Sequence, residues 1–153
     1  MKITSILSSD SLIPELKTKD KDSVVRELAE IICKVEPSLK LPELVEVLLE
    51  REKLGSTGIG SGVAIPHGKM PNLDHIVAAF GRSKAGIDFD SQDGEPAHLF
   101  FVLVAPENTA GLHLKALAKL SRLLKDNSFR DKLMQAPDGA EIYKIISEED
   151  EKS

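Results

Sequence analysis

Residues 99–105 read Leu99-Phe100-Phe101-Val102-Leu103-Val104-Ala105, seven apolar side chains in a row with no polar alternation. A strand places successive side chains on opposite faces, so such a run needs cover on both sides. That is the condition of a central strand in a layered α/β structure, and it sets the fold expected here. Two shorter strand-like runs precede it, Val63–Ile65 and Ile76–Phe80. The segment AGIDFDSQDGEP (85–96) between the second and third is polar, with Asp93-Gly94 expected to form a tight turn.

Helical patterns on either side supply the cover. Residues 20–34 carry Val24, Val25, Leu28, Ile31 and Ile32 at helical spacing, with Asp20 or Asp22 as N-cap. Pro37 breaks the pattern, and a second helix is expected from near Pro42, with its stripe on Leu44, Val45, Leu48 and Leu49. Gly55 stops it, with Arg51 and Lys53 in the last turn. Downstream, a helix capped by Asn108 or Thr109 runs to about Lys125, and a short one opens at Ser128. Asp138-Gly139-Ala140-Glu141 reads as a capping box for a last helix carrying Ile142, Ile145 and Ile146. Residues 1–147 are expected to form one domain, and the charged tail 148–153 to fray. The pattern predicts an α/β fold, a mixed and mostly parallel β-sheet sandwiched between α-helices.

The 153 residues are 41% hydrophobic and 29% charged, with a formal net charge of −5. No basic cluster is present to neutralise nucleic-acid phosphates. No apolar run approaches the roughly 20 residues that span a bilayer. MKITSILSSD at the N-terminus lacks the apolar core of a signal peptide. The single cysteine, Cys33, has no partner for an internal disulfide and is read as a packing residue. These features point to a cytoplasmic chain.

The chemistry concentrates in GSTGIGSGVAIPHGK, Gly55–Lys69. Pro66 favours an extended Ile65 and so delivers His67 from the end of a strand. Gly68 lets the backbone turn away or approach a ligand closely. The glycine loop carries neither a dinucleotide fingerprint nor a P-loop. It is either a flexible connection or a nest of amides and hydroxyls (Ser56, Thr57, Ser61) that holds an anion. His113 lies near a helix N-terminus, with Ala116, Leu117, Leu120 and Leu124 on its stripe. It is either a satisfied core histidine or a second imidazole facing an anion on His67. Arg51 either caps helix carbonyls or neutralises phosphate charge. Lys69 reads as a surface charge, His75 as solvated at a strand start, and His98 as packing or edge. No histidine pair has metal-ligand spacing, and neither a metal nor a cofactor is expected.

The segment Glu52–Gly68, with Val63-Ala64-Ile65-Pro66-His67-Gly68, resembles the active-site signature of phosphotransferase-system enzyme IIA of the fructose/mannitol type. LEREKLGSTGIGSGVAIPHGK, GIDFDSQDGEP, VLVAPE, HLKALAKLSRLL and ITSILSSDSLIPELKTKDKDSVVRELA are similar to the nitrogen-regulatory subgroup. The resemblance covers nearly the whole chain. It implies the mannitol-type enzyme IIA fold and a phosphoryl carrier with a tele-phosphohistidine at His67. The donor it implies is an HPr-type phosphocarrier protein, and the recipient a regulatory target or a IIB component. His113 falls on the family's second active-site histidine and Arg51 on its arginine. Ser56, Thr57 and Gly68 are carried along as phosphate-binding positions. His98 departs from the acidic residue expected in close relatives. Three functions follow: a regulatory IIA protein, a sugar-specific IIA serving a fructose or mannitol IIB, and a non-phosphorylated binding module of the same fold.

Overall fold

The computed structural model describes residues 1–152. A short 3₁₀ turn, Ile3–Ser5, leads into strand β1 (Leu7–Ile13), helices α1 (Lys21–Val35) and α2 (Leu41–Lys53), and strands β2 (Gly58–Gly60), β3 (Val63–Ala64) and β4 (His67–Met70). Two long strands, β5 (Val77–Ile87) and β6 (Ala97–Pro106), precede helices α3 (Ala110–Leu123), α4 (Asn127–Gln135) and α5 (Gly139–Lys152). The sheet order is β1-β5-β6-β3-β2, with β4 also paired to β6. β1–β5, β3–β6 and β4–β6 are parallel, whereas β5–β6 and β2–β3 are antiparallel. The sheet is therefore mixed with mostly parallel pairs, as expected, although its longest pairing is antiparallel.

β6 explains the layers. Leu99, Phe101, Leu103 and Ala105 project into one core with side chains of α3, α4 and α5. Phe100, Val102 and Val104 project into the other, against α1 and α2. The unbroken apolar run is thus two interleaved period-2 stripes, each under its own helical layer.

Local signals close the helices. Asp20, of the two caps considered, accepts from the Ser23 amide at 3.0 Å. Asp138 accepts from the Glu141 amide at 2.9 Å, which is half of a capping box. Thr109 precedes α3 but makes no side-chain cap bond, and its hydroxyl donates to the Pro106 carbonyl at 3.1 Å instead.

Three strands were not expected. β1 reads LSSDSLI, with polar residues through its middle and an irregular register against β5 between Leu7 and Leu12. β2 and β4 lie in the glycine-rich stretch. The tail also differs from expectation, because α5 continues to Lys152. Asp150 is buried, pairs with Lys119 Nζ at 2.8 Å and accepts from the Thr4 amide at 2.9 Å. These tertiary contacts hold the last turn that charge alone would let fray. Ser153, the end of the predicted tail, lies outside the described residues.

Arg82 on β5 is 2% exposed, and its guanidinium is occupied by carbonyls. It donates to Pro14 O at 2.9 Å, to Leu133 O at 2.8 Å and to Ala136 O at 2.7 Å, tying the chain beyond β1 and the end of α4 to the sheet. Arg82→Met is expected to leave these carbonyls unsatisfied and to cost roughly 3 kcal/mol. A urea-unfolding midpoint measures it. Arg82→Lys should recover only part, since a single ammonium cannot span the fork.

Candidate functional site

β3 and β4 both lie along β6, separated by Ile65 and Pro66. His67 begins β4 opposite Leu103, so its side chain points to the α3 side of the sheet. Gly68 opposite Val104 faces α2. A Cβ at Gly68 would meet Val47 Cγ1 at 2.6 Å. This glycine therefore permits close approach of helix and strand, whereas the sequence suggested a sharp turn or close approach to a ligand. Lys69 is again on the His67 face.

His67 Nδ1 lies 2.8 Å from the carbonyl oxygen of Ile65. A carbonyl only accepts, so Nδ1 carries the proton and Nε2 keeps its lone pair. The His67 ring meets the His113 ring edge-on, with centroids 5.4 Å apart. His113 comes from the first turn of α3 and is 6% exposed. Its Nε2 is buried and has no hydrogen-bond partner among the described residues. Arg51, in the last turn of α2, donates Nη1 to the Gly55 carbonyl at 2.9 Å. These side chains share one open cavity of about 410 Å³, lined also by Val47, Glu50, Leu54, Gly68 and Lys69. Larger clefts exist, but the largest runs along α1 and α2 and holds none of these residues.

Both histidines are held uncharged. Burial lowers the pKa of His67, the Ile65 carbonyl partly offsets this, and the Arg51 charge lowers it further. Burial likewise takes His113 down to about 4, with the His67 and Lys69 charges acting in the same direction. The site thus presents a nucleophilic nitrogen, a buried polar nitrogen beside it and a guanidinium at the rim.

The structure brings His67, His113, Arg51 and Gly68 to this cavity and leaves Ser56 and Thr57 out of it. The Ser56 hydroxyl donates to Phe89 O at 2.5 Å, and the Thr57 hydroxyl to the buried carboxylate of Glu52. Both hydroxyls are turned inward here, so the structure does not direct them at the cavity. Lys69, read as a surface charge, lines the site. Leu54 is 84% exposed at the cavity rim and lies outside the apolar stripe of α2, a signal available in the sequence but passed over. Glu52, which opens the signature segment, was given no role from sequence. His98 donates Nδ1 to Ser83 O at 3.0 Å and packs beside Gly86, in agreement with a packing role. His75 is half exposed and bridges Asp74 at 2.6 Å and Glu36 at 2.5 Å.

Fold and site together define a class: an α/β protein that presents an uncharged, tautomer-fixed imidazole in an open cavity at the edge of a sheet. The chain belongs to the EIIA 2 family of the phosphoenolpyruvate-dependent sugar phosphotransferase system, whose profile matches residues 5–149. It is 42% identical over 147 residues to a nitrogen regulatory protein of Bradyrhizobium diazoefficiens, covering 96% of this chain and 95% of that one. It is 39% identical over 150 residues to the fructose-specific EIIABC component of Bacillus subtilis, covering 98% of this chain but 24% of that longer protein. The crystal structure of nitrogen regulatory protein IIA-Ntr from Neisseria meningitidis superposes with a TM-score of 0.88 at 36% identity, covering 94% of this chain and 98% of that one. No helix among the described residues is long and apolar enough to cross a membrane.

Three of the four histidines are expected to titrate in a fixed order as pH falls. His75 gains a proton first, above the usual 6.5, because the Asp74 and Glu36 carboxylates favour its imidazolium. His67 follows below 6.5, and His113 last, at about 4. Depressed folded-state values mean that His67 and His113 contribute stability above their unfolded pKa and lose it as pH falls. Imidazole NMR across this range reads the order, and a His113 that protonates before His75 contradicts the site geometry.

Proposed function

We propose that the protein is a phosphohistidine carrier that accepts a phosphoryl group on His67 Nε2 from an HPr-type phosphocarrier protein and acts as a regulatory, nitrogen-type IIA. The observation that carries this reading is the pair of rings: the fixed lone pair on His67 and, with its ring centroid 5.4 Å away, His113, whose buried Nε2 has no partner among the described residues. In the transfer, the His67 Nε2 lone pair forms a bond to phosphorus. The donor's own P–N bond breaks, and its electron pair returns to the donor imidazole. His67 then bears the N–P bond while Nδ1–H stays on the Ile65 carbonyl. No general base is needed, because the attacking nitrogen has no proton to lose.

The transferred group carries its charge on three equatorial oxygens, so positioned donors do most of the work. His113 Nε2–H would donate to one oxygen from its buried position. Arg51 would add a forked contact from the rim by trading the Gly55 carbonyl for the phosphoryl group. Gly68 would let α2, and with it Arg51, pack close to the strand that carries His67.

Relatedness over nearly the full length of nitrogen regulatory proteins supports the regulatory role. Phosphorylation sets a dianionic phosphoryl group on a ring that keeps Nδ1–H, a net gain of about one negative charge, which would remodel a docking surface around Leu54 and Lys69. A second reading is favoured by the likeness to the fructose-specific protein. In it, His67 passes the group to a IIB component. Either carrier would work in the cytoplasm, where phosphoenolpyruvate is the primary donor.

Incubation with phosphoenolpyruvate, enzyme I and an HPr-type donor, followed by intact-protein mass, tests the carrier role. One acid-labile phosphoryl adduct is expected on the native chain and none on His67→Ala. His113→Ala should still accept the group, but on the order of 100-fold more slowly, as for loss of one preorganised donor. The native rate should fall at acid pH as His67 protonates, with its midpoint below the 6.5 of a free imidazole. An uncharged native protein beside a charged donor overturns the reading and favours a binding module. Onward transfer to a purified IIB favours the sugar-specific role.

A further inference from the structure

Glu52 is a buried carboxylate to which the transfer chemistry assigns no task. Its side chain is 4% exposed at the end of α2, next to Arg51. One oxygen accepts from the Thr57 amide at 3.1 Å, and the other from the Thr57 hydroxyl. Lys21 Nζ, itself largely covered, lies 3.1 Å away and balances the charge. An ionised carboxylate is acceptor-only, so both Thr57 donors are satisfied together. The chain of contacts continues. The Thr57 carbonyl accepts from the Ile65 amide at 3.0 Å, and the Ile65 carbonyl accepts from His67 Nδ1 at 2.8 Å.

We infer that Glu52 is the positioning residue of this site: it holds Thr57, Thr57 holds Ile65, and Ile65 holds the His67 ring with Nε2 presented to the donor. What that orientation serves rests on the carrier reading above; the clamp itself does not. Three observations favour positioning over simple packing. Burying a carboxylate is costly unless paired, and packing alone would be met by an apolar residue. Both oxygens converge on a single residue of the loop. The carbonyl of that residue accepts from Ile65, whose own carbonyl holds the His67 ring. Arg51 meanwhile grips Gly55 from the cavity side, so two adjacent side chains hold the same short loop from opposite faces.

The test compares native protein with Glu52→Gln, Thr57→Val and Thr57→Ser. The glutamine keeps the shape but turns an acceptor into a donor. The valine keeps the amide and loses the hydroxyl. The serine keeps both donors. Nitrogen-15 imidazole NMR at neutral pH should show His67 as a single Nδ1–H tautomer in native protein and Thr57→Ser. Glu52→Gln and Thr57→Val should show exchange with the Nε2–H form. Single-turnover phosphoryl acceptance at saturating HPr-type donor should fall about tenfold or more in those two variants, as for loss of an orienting partner. The donor concentration at half-maximal rate should not change, since Glu52 is buried away from the rim.

Folded variants with the native tautomer signal overturn the proposal, whether or not their rate falls. If Glu52→Gln does not fold, Thr57→Val decides by the same readout. A native protein that takes up no phosphoryl group overturns the carrier reading alone, because the tautomer measurement needs no donor.

Discussion

The double burial of β6 is the constraint from which the rest of the structure follows. A strand covered on both faces fixes two helical layers, and its neighbours must fall into register with the stripe they share. β4 is four residues long, with one glycine beside His67 and Lys69, so it has little strand preference of its own. It is held because His67, Gly68 and Lys69 pair with Leu103, Val104 and Ala105. A slip of one residue would turn His67 toward α2 and Gly68 toward α3, exchanging the two faces. The position of the imidazole is therefore a register statement about β6.

The interruption at Ile65 and Pro66 carries a second consequence. Both β3 and β4 run parallel to β6, yet the chain leaves the ladder between them. Pro66 has no amide to offer, and its carbonyl still accepts from the Leu103 amide at 2.9 Å. The Ile65 carbonyl is consequently released from sheet pairing and remains available to the His67 ring two residues later. Unbroken strand pairing would have spent that carbonyl on a neighbouring amide. The break thus turns a ladder acceptor into a tautomer lock, while the buried Ile65 side chain keeps the lock from drifting.

How far the sequence could be read depended on whether a signal was local. Leu99–Ala105 announced a central strand, and the stripe from His113 through Leu124 announced a sheet-facing helix. Pro66-His67-Gly68 marked the site because proline and glycine restrict the backbone wherever they occur. β1 was illegible because Ser8, Ser9 and Asp10 sit exposed on a strand whose pairing comes from β5. The hydroxyls of Ser56 and Thr57 could not be aimed from sequence. Their acceptors are a carbonyl 33 residues away and a carboxylate that only the fold buries. The order of the tail was hidden for the same reason, since Asp150 meets Lys119 and Thr4 from distant parts of the chain.

The electrostatics of the cavity bear on why a carrier would be built this way. A group that must arrive and leave cannot be held by several fixed positive charges, or the bound state becomes a trap. Here the innermost imidazole, His113, is kept neutral chiefly by burial, with the Lys69 charge acting in the same direction. Neutral hydrogen bonds are about half as strong as charge-assisted ones. The full positive charges, Arg51 and Lys69, stand at the rim, where solvent screens them and a docking protein can displace them. Arg51 is already satisfied by the Gly55 carbonyl, so engaging an anion means exchanging one acceptor for another, with only the difference as gain. On the carrier function proposed above, the arrangement would hold a phosphoryl group moderately and reversibly. That balance suits relay between proteins better than either storage or hydrolysis.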